Sequence, residues 1–339
     1  MLRALLLLCL ALASFGAGAE VRISPIFGTK PATVNTAVEG GKAVQFPLGK
    51  FNPGDVLRVQ VDVTDAANRN ISAWILDAAN YQAMQAGQNF QGVGRAKATT
   101  PTELPFNVKD AGSYYLLLDN RYALVGSKNV RIQTQTFRRL DPGKGNVLYS
   151  RLLNGYQMLR QQFDFPDFDI EVKPCGMVNA LSTRANGDIT LCSEMLDASE
   201  DKPGLFTGIL LHEIGHSLLN LWGLPGSANE DTADEFAAQY ILRMSNGPDL
   251  LKEYAAFFAG FDPYLEARNI IQNGDTYSLG IQRARNLTAM AANQADLIRR
   301  WNRLLYPHLT TAYLRNIVAG KAQREDRTLA AEELKRRGL

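Results

Sequence analysis

The hydrophobic pattern of this chain changes period once, near residue 141, and that change limits the architectures open to it. Before it, short runs alternate apolar and polar residues, whereas after it apolar residues recur at helical spacing. The segment VLRVQVDV at 56–63 alternates cleanly, as a half-buried strand does, and follows the turn signal NPGD at 52–55. Residues 71–76, 114–118 and 130–137 read the same way, with a further turn at DAG, 110–112. Short strands divided by turns, with no strong helical period, predict an antiparallel β-sandwich over residues 20–140. DPGKG at 141–145 is dense in turn formers and reads as a linker. Beyond it, helices are expected at 147–163, 204–222, 230–244, 249–258 and 294–319, with a strand at 188–192. The charged stretch from 320 reads as a solvated, fraying helix. The expected fold class is α+β in two domains, the second mostly helical with a small sheet over 141–339.

The first 19 residues, MLRALLLLCLALASFGAGA, read as a signal peptide. Arg3 gives a positive start, residues 4–13 form a short apolar run, and Ala17-Gly18-Ala19 is a small-residue cleavage site. That run is too short for a stable membrane anchor, and no other stretch reaches about 18 apolar residues. The chain is therefore expected outside the cytoplasm, periplasmic or secreted, after cleavage near Ala19. Loss of the leader removes Cys9 and leaves Cys175 and Cys192, an even pair that predicts a disulfide in an oxidising compartment. Neither has a neighbour at zinc-ligand spacing. The net charge of +2 gives no electrostatic reason to expect nucleic acid as a partner.

The chemistry concentrates in ILLHEIGHSLLNLW, residues 209–222. His212 and His216 lie four apart, so on a helix both imidazoles project from one face. Glu213 sits beside the first, where it can act as a general base on water without joining the ligands. The apolar flanks call for a buried helix, and two neutral histidines facing a core need partners. NEDTAD at 229–234 follows after a short loop. Glu230 can open a second helix and supply a third ligand, and Asp234, one turn later, can accept the outer N–H of a ligand histidine. Three protein ligands with one open position make a catalytic zinc site rather than a structural one.

HEIGH followed by NEDTADEFAAQYIL resembles the HExxH and ExxAD helices of glutamate-type zincin metallopeptidases. It is closer still to a bacterial metallopeptidase-like family of unknown substrate, whose members carry blocks like CGMVNALSTRANGDITLC before the zinc helix and DTYSLGIQRARNL after it. The resemblance spans roughly residues 145–290. It implies a zincin-like domain with Zn2+ held by His212, His216 and Glu230, Glu213 as base and Asp234 orienting a histidine; the connection from His216 to Glu230 is short for the wider zincin group, which leaves Asp231 and Asp234 as alternative ligands. It also implies a protein or peptide substrate, met by an edge strand ending near Cys192 that the Cys175–Cys192 bridge braces. The family often has histidine where this chain has Tyr277, which leaves the transition-state donor open: Tyr277 and Arg283 are candidates or simply structural, and His308 can donate to an oxyanion but, following a proline, reads rather as a helix-start surface residue. FNPGDVLRVQV and DAGSYYLLLDN are similar to jelly-roll-like accessory domains beside secreted bacterial peptidases. That implies a module for binding a protein or glycan or for positioning substrate or enzyme, or one for structure alone. The expectation is an exported zinc peptidase. The alternative is a non-catalytic extracytoplasmic binding protein that uses the sandwich and carries a degenerate metal site.

Overall fold

A computed structural model describes residues 19–64, 69–99, 101–123, 126–261, 266–267 and 278–339. The leader expected at 1–19 lies outside the described residues except for Ala19. The chain is α+β, with antiparallel sheets in the amino-terminal part and helices in the carboxyl-terminal part.

Two sheets form the first part. In one, β2 (Ile26–Gly28) and β3 (Ala32–Glu39) both pair with the long β10 (Ser127–Arg139), followed by β5 (Val56–Val63) and β8 (Thr102–Asn107). The other runs β4 (Ala43–Phe51), β9 (Gly112–Asp119), β6 (Asn70–Asp77), β7 (Gly94–Thr99). The alternation of β5 does what its period requires: Leu57, Val59, Val61 and Val63 are buried in the core shared by the two sheets, while Arg58 and Gln60 are exposed. A short helix, α1 (Ala78–Gln85), interrupts the strands unannounced by any apolar period, and Asp77 caps it by accepting from Asn80 N–H.

The second part has its own core around a small mixed sheet in the order β1 (Val21–Ile23), β11 (Ile170–Lys173), β13 (Ile189–Cys192), β12 (Ala180–Ser182). Here the boundary expected at residue 20 is corrected, because β1 pairs in parallel with β11 and so belongs to the second part's sheet. β13 is not an edge strand either. It is flanked by β11 in parallel and β12 antiparallel, so the sheet ends at β12.

The expected linker is also corrected. Asp141 caps α2 (Pro142–Gln162) by accepting from Lys144 N–H, and Pro142 starts the first turn, where its missing N–H has no cost. Next come α3 (Ser193–Ala198), α4 (Pro203–Leu221), α5 (Glu230–Ile241), α6 (Gly247–Ala259), α7 (Gly280–Ala292) and α8 (Gln294–Leu305). The single helix expected over 294–319 is broken, since Pro307 falls in a 3-10 turn, Tyr306–His308, before α9 (Thr311–Ala319). The last helix, α10 (Arg324–Arg336), is packed rather than fraying, with Ala330 and Glu333 buried. Among the described residues no helix is long and apolar enough to cross a membrane.

Cys175 and Cys192 are bonded, their Cα atoms 5.3 Å apart and 17 residues separated in sequence. Closing a loop of that length removes chain entropy from the unfolded state, so the Cys175→Ser/Cys192→Ser double variant loses about 3 kcal/mol. Denaturant titration of the oxidised and double-serine proteins measures the difference.

Candidate metal centre

The pair of histidines sits on α4, whose apolar residues bury it between the small sheet and α5 and α6. The fit against α6 is tight. A Cβ at Gly208, one turn before His212, would stand 2.3 Å from the Tyr254 ring, so only glycine lets the two helices meet there. α5 begins where the short loop ends, with the Asn229 side chain accepting from Thr232 N–H, and this brings Glu230 to the histidines.

The three expected ligands converge. His212 Nε2 and His216 Nε2 are 3.1 Å apart, and Glu230 reaches them with Oε2 at 3.1 Å and Oε1 at 3.4 Å. One donor atom from each residue lies within 4.8 Å of the others. The outer nitrogens decide the chemistry. His216 Nδ1 donates to the carbonyl oxygen of Ser227 at 2.7 Å, and His212 Nδ1 donates to Asp234 Oδ1 at 2.9 Å. Neutral imidazoles in these tautomers turn two bare Nε2 lone pairs and a carboxylate towards one another. Such a donor set repels itself unless a cation stands between, and two imidazoles with one carboxylate suit zinc.

Asp234 is 2% exposed and holds more than the histidine. Its Oδ1 also accepts from Tyr254 OH at 2.7 Å and Arg283 Nη2 at 2.9 Å, and its Oδ2 accepts from Arg283 Nε at 2.7 Å. Burial works to raise its pKa, but the hydrogen bonds and charges of His212 and Arg283 win and hold it at about 2. Burial likewise works against ionised Glu230, and the two histidines and Arg283 bring its pKa far below the usual carboxylate range. Arg283 Nη1 lies 3.3 Å from Glu230 Oε2, and the guanidinium stacks 3.9 Å over the Phe258 ring.

Glu213 stands apart from this network. It is 7% exposed, lines the cleft, and its carboxylate makes no hydrogen bond to another described residue. Burial raises its pKa, opposed by the charges of His212 and His216. A carboxylate left unengaged, desolvated and beside the ligands is suited to take up a proton.

A proton is the other cation that this donor set can hold. Burial alone would lower the pKa of His212, yet hydrogen bonds to Asp234 and Glu230 raise it from 6.5 to about 9. A raised histidine stabilises the fold fully below its unfolded value and loses that contribution as pH climbs through the folded one. The chelated protein is accordingly expected to lose thermal stability between pH 6.5 and about 9, read by melting curves across that range.

The cleft itself encloses about 430 Å3. β12 and the loop before it form one wall, α4 the floor, and Phe257, Phe258 and Arg283 the far side. Ser182 Oγ at the end of β12 meets Ser217 Oγ of α4 at 2.8 Å, fixing wall to floor.

No family model matches the chain, and no curated protein matches it. Solved structures overlay on it only loosely. A periplasmic inhibitor of g-type lysozyme from Aeromonas hydrophila matches 35% of this chain over 99% of its own, at 13% identity and a TM-score of 0.26. A disulfide-linked pilus protein of Bacillus endospore appendages matches 40% of this chain over its full length, at 10% identity and a TM-score of 0.21. IMPa from Pseudomonas aeruginosa, solved with an O-glycopeptide, matches 90% of this chain, at 8% identity and a TM-score of 0.21, but this chain spans only 45% of its length.

Of the other residues singled out in the sequence, His308 is removed from the site. Its ring stacks on Trp222 at 4.2 Å and 15°, it does not line the cleft, and it is corrected to a packing residue. Tyr277 lies outside the described residues. Asp231 turns away from the ligand group and accepts from Ser278 Oγ at 2.7 Å. Tyr254 was not foreseen, since a tyrosine on an ordinary amphipathic helix carries no chemical signature. Gly208, one turn before the first histidine, is the sequence mark of its close approach.

Proposed function

We propose that this chain is an exported zinc-dependent peptidase that hydrolyses peptide bonds with Glu213 as general base. The observation that carries the reading is the pair of fixed histidine tautomers. Both bare Nε2 atoms and the Glu230 carboxylate face one point, with an unengaged buried carboxylate beside them. His212, His216 and Glu230 would hold the metal. Bound zinc supplies a Lewis acid that polarises a carbonyl oxygen and renders water acidic enough to be a nucleophile near neutral pH.

The remaining work falls to the chain's own side chains. Glu213, its pKa raised by burial, accepts the proton of the attacking water and passes it to the departing amine. Asp234 keeps His212 in one tautomer and orientation, and Tyr254 and Arg283 keep Asp234 in place. The free edge of β12 can pair with an extended peptide through main-chain hydrogen bonds, which asks for little sequence preference. Export is supported by the Cys175–Cys192 bridge and by the apolar leader expected at 1–19. The rival reading, a binding protein with a degenerate metal site, has no use for Glu213.

Metal removal tests the proposal. Purified protein is expected to carry one zinc per chain, and chelation should abolish hydrolysis of an unfolded protein substrate until zinc is restored. Protein that binds no zinc, or hydrolysis indifferent to chelation, refutes it.

A further inference from the structure

Glu194, two residues beyond the disulfide at Cys192, is fully buried, and no lysine or arginine among the described residues pairs with it. A carboxylate placed so is costly unless hydrogen bonds satisfy it. Its Oε1 accepts from Gly176 N–H at 2.8 Å and from Gln135 Nε2 at 2.9 Å, and its Oε2 accepts from Cys175 N–H at 3.1 Å. The donors come from two different places. Gln135 lies on β10 of the sandwich, whereas Cys175 and Gly176 begin the loop that becomes β12, the wall of the metal cleft. The adjacent Ser193 Oγ accepts from Gly28 N–H of β2 at 2.9 Å. At Gly28 a Cβ would stand 2.4 Å from Glu194 Oε1, so glycine is what allows the sandwich to approach so closely.

We infer that Glu194 is a positioning residue through which the sandwich braces the cleft wall, making the first part a support for the site rather than an independent module. Only a carboxylate does this, because both of its oxygens accept. A glutamine there would turn an N–H2 group towards N–H donors. Any influence on substrate rests on the peptidase proposal, but the brace itself does not, and its test reads the backbone directly.

Gln135→Met keeps the side-chain length and removes the sandwich's donor to Glu194, together with that amide's longer contact to the Thr29 carbonyl at 3.3 Å. Gln133→Met, two residues earlier on the same strand and without contact to Glu194, serves as control. In the full-length protein as purified, hydrogen exchange across residues 174–183 should quicken about tenfold in Gln135→Met and not in Gln133→Met. Exchange elsewhere in the sandwich, apart from the segment around Thr29 that loses the same amide, should stay as in the parent. Equal exchange at 174–183 in both variants overturns the brace, as does quickening spread evenly over the chain. Should Gln135→Met fold poorly, Gln135→Asn, which shortens the amide out of reach of Glu194, is expected to quicken the same segment. If peptide hydrolysis is absent from the parent while the exchange difference holds, the peptidase proposal fails and the brace stands. If the parent is active, the wall's loosening should raise KM more than it lowers kcat.

Discussion

Glu213→Gln is expected to lower peptide hydrolysis by about a thousandfold while zinc content stays at the parent's level. The substitution conserves shape, and the carboxylate it replaces has no hydrogen bond to another described residue, so no hydrogen bond among them is lost with it. Nor is Glu213 within the group of converging donor atoms, which His212, His216 and Glu230 make up. What the amide cannot do is accept a proton. The loss should therefore fall on kcat, with KM near the parent value, because the ground-state cleft is unaltered. Zinc measured by atomic spectroscopy beside steady-state rates on one preparation separates the two effects. Hydrolysis above about a tenth of the parent rate removes Glu213 from the general-base role. Loss of zinc would instead make it part of the ligand set.

How much of this centre was legible beforehand follows from the range of each interaction. His212, Glu213 and His216 lie within one helical turn, and Glu230 and Asp234 share the next helix, so helical geometry alone brings each group together. Bringing Glu230 to the histidines depends on the path of the short loop between the two helices, which no helical period sets. The loop's role became plain only with Ser227, whose carbonyl oxygen fixes the tautomer of His216. Tyr254 and Arg283 reach Asp234 across 20 and 49 residues, and no local pattern encodes such pairings.

The misread elements fail for reasons of the same kind. DPGKG has the composition of a linker, yet Asp141 and Pro142 are equally a helix cap and first turn, and the apolar period that decides between them starts later. The strand ending at Cys192 has an edge strand's length, but its partner β12 is three residues long, too short to announce itself. β1 pairs with a strand almost 150 residues away, as Val21 opposite Ile170 makes plain, and periodicity is silent on partners. Residues 56–63, by contrast, alternate in sequence and in burial, since one face of a sandwich strand needs nothing beyond its own period.

Asp234→Ala should be the most damaging single change, costing about 3–5 kcal/mol of stability and roughly ten- to a hundredfold in zinc affinity. Two separate causes are joined in one residue. Asp234 makes the two shortest contacts to Arg283, whose side chain is only 11% exposed, so its removal leaves a buried guanidinium with only the longer contact to Glu230 at 3.3 Å. It also fixes the tautomer of His212, so its removal frees that ring to turn its Nε2 lone pair from the metal point. A second change separates them. In Asp234→Ala/Arg283→Met the stranded charge is gone, and much of the lost stability should return, whereas zinc affinity should stay low because nothing yet orients His212. Denaturant midpoints of the metal-free proteins read the first effect, and competition with a zinc-sensing dye reads the second. If the double variant recovers both together, Asp234 serves chiefly as the partner of Arg283. If it recovers neither, Arg283 supports the site by a route other than Asp234, such as its contact with Glu230 at 3.3 Å.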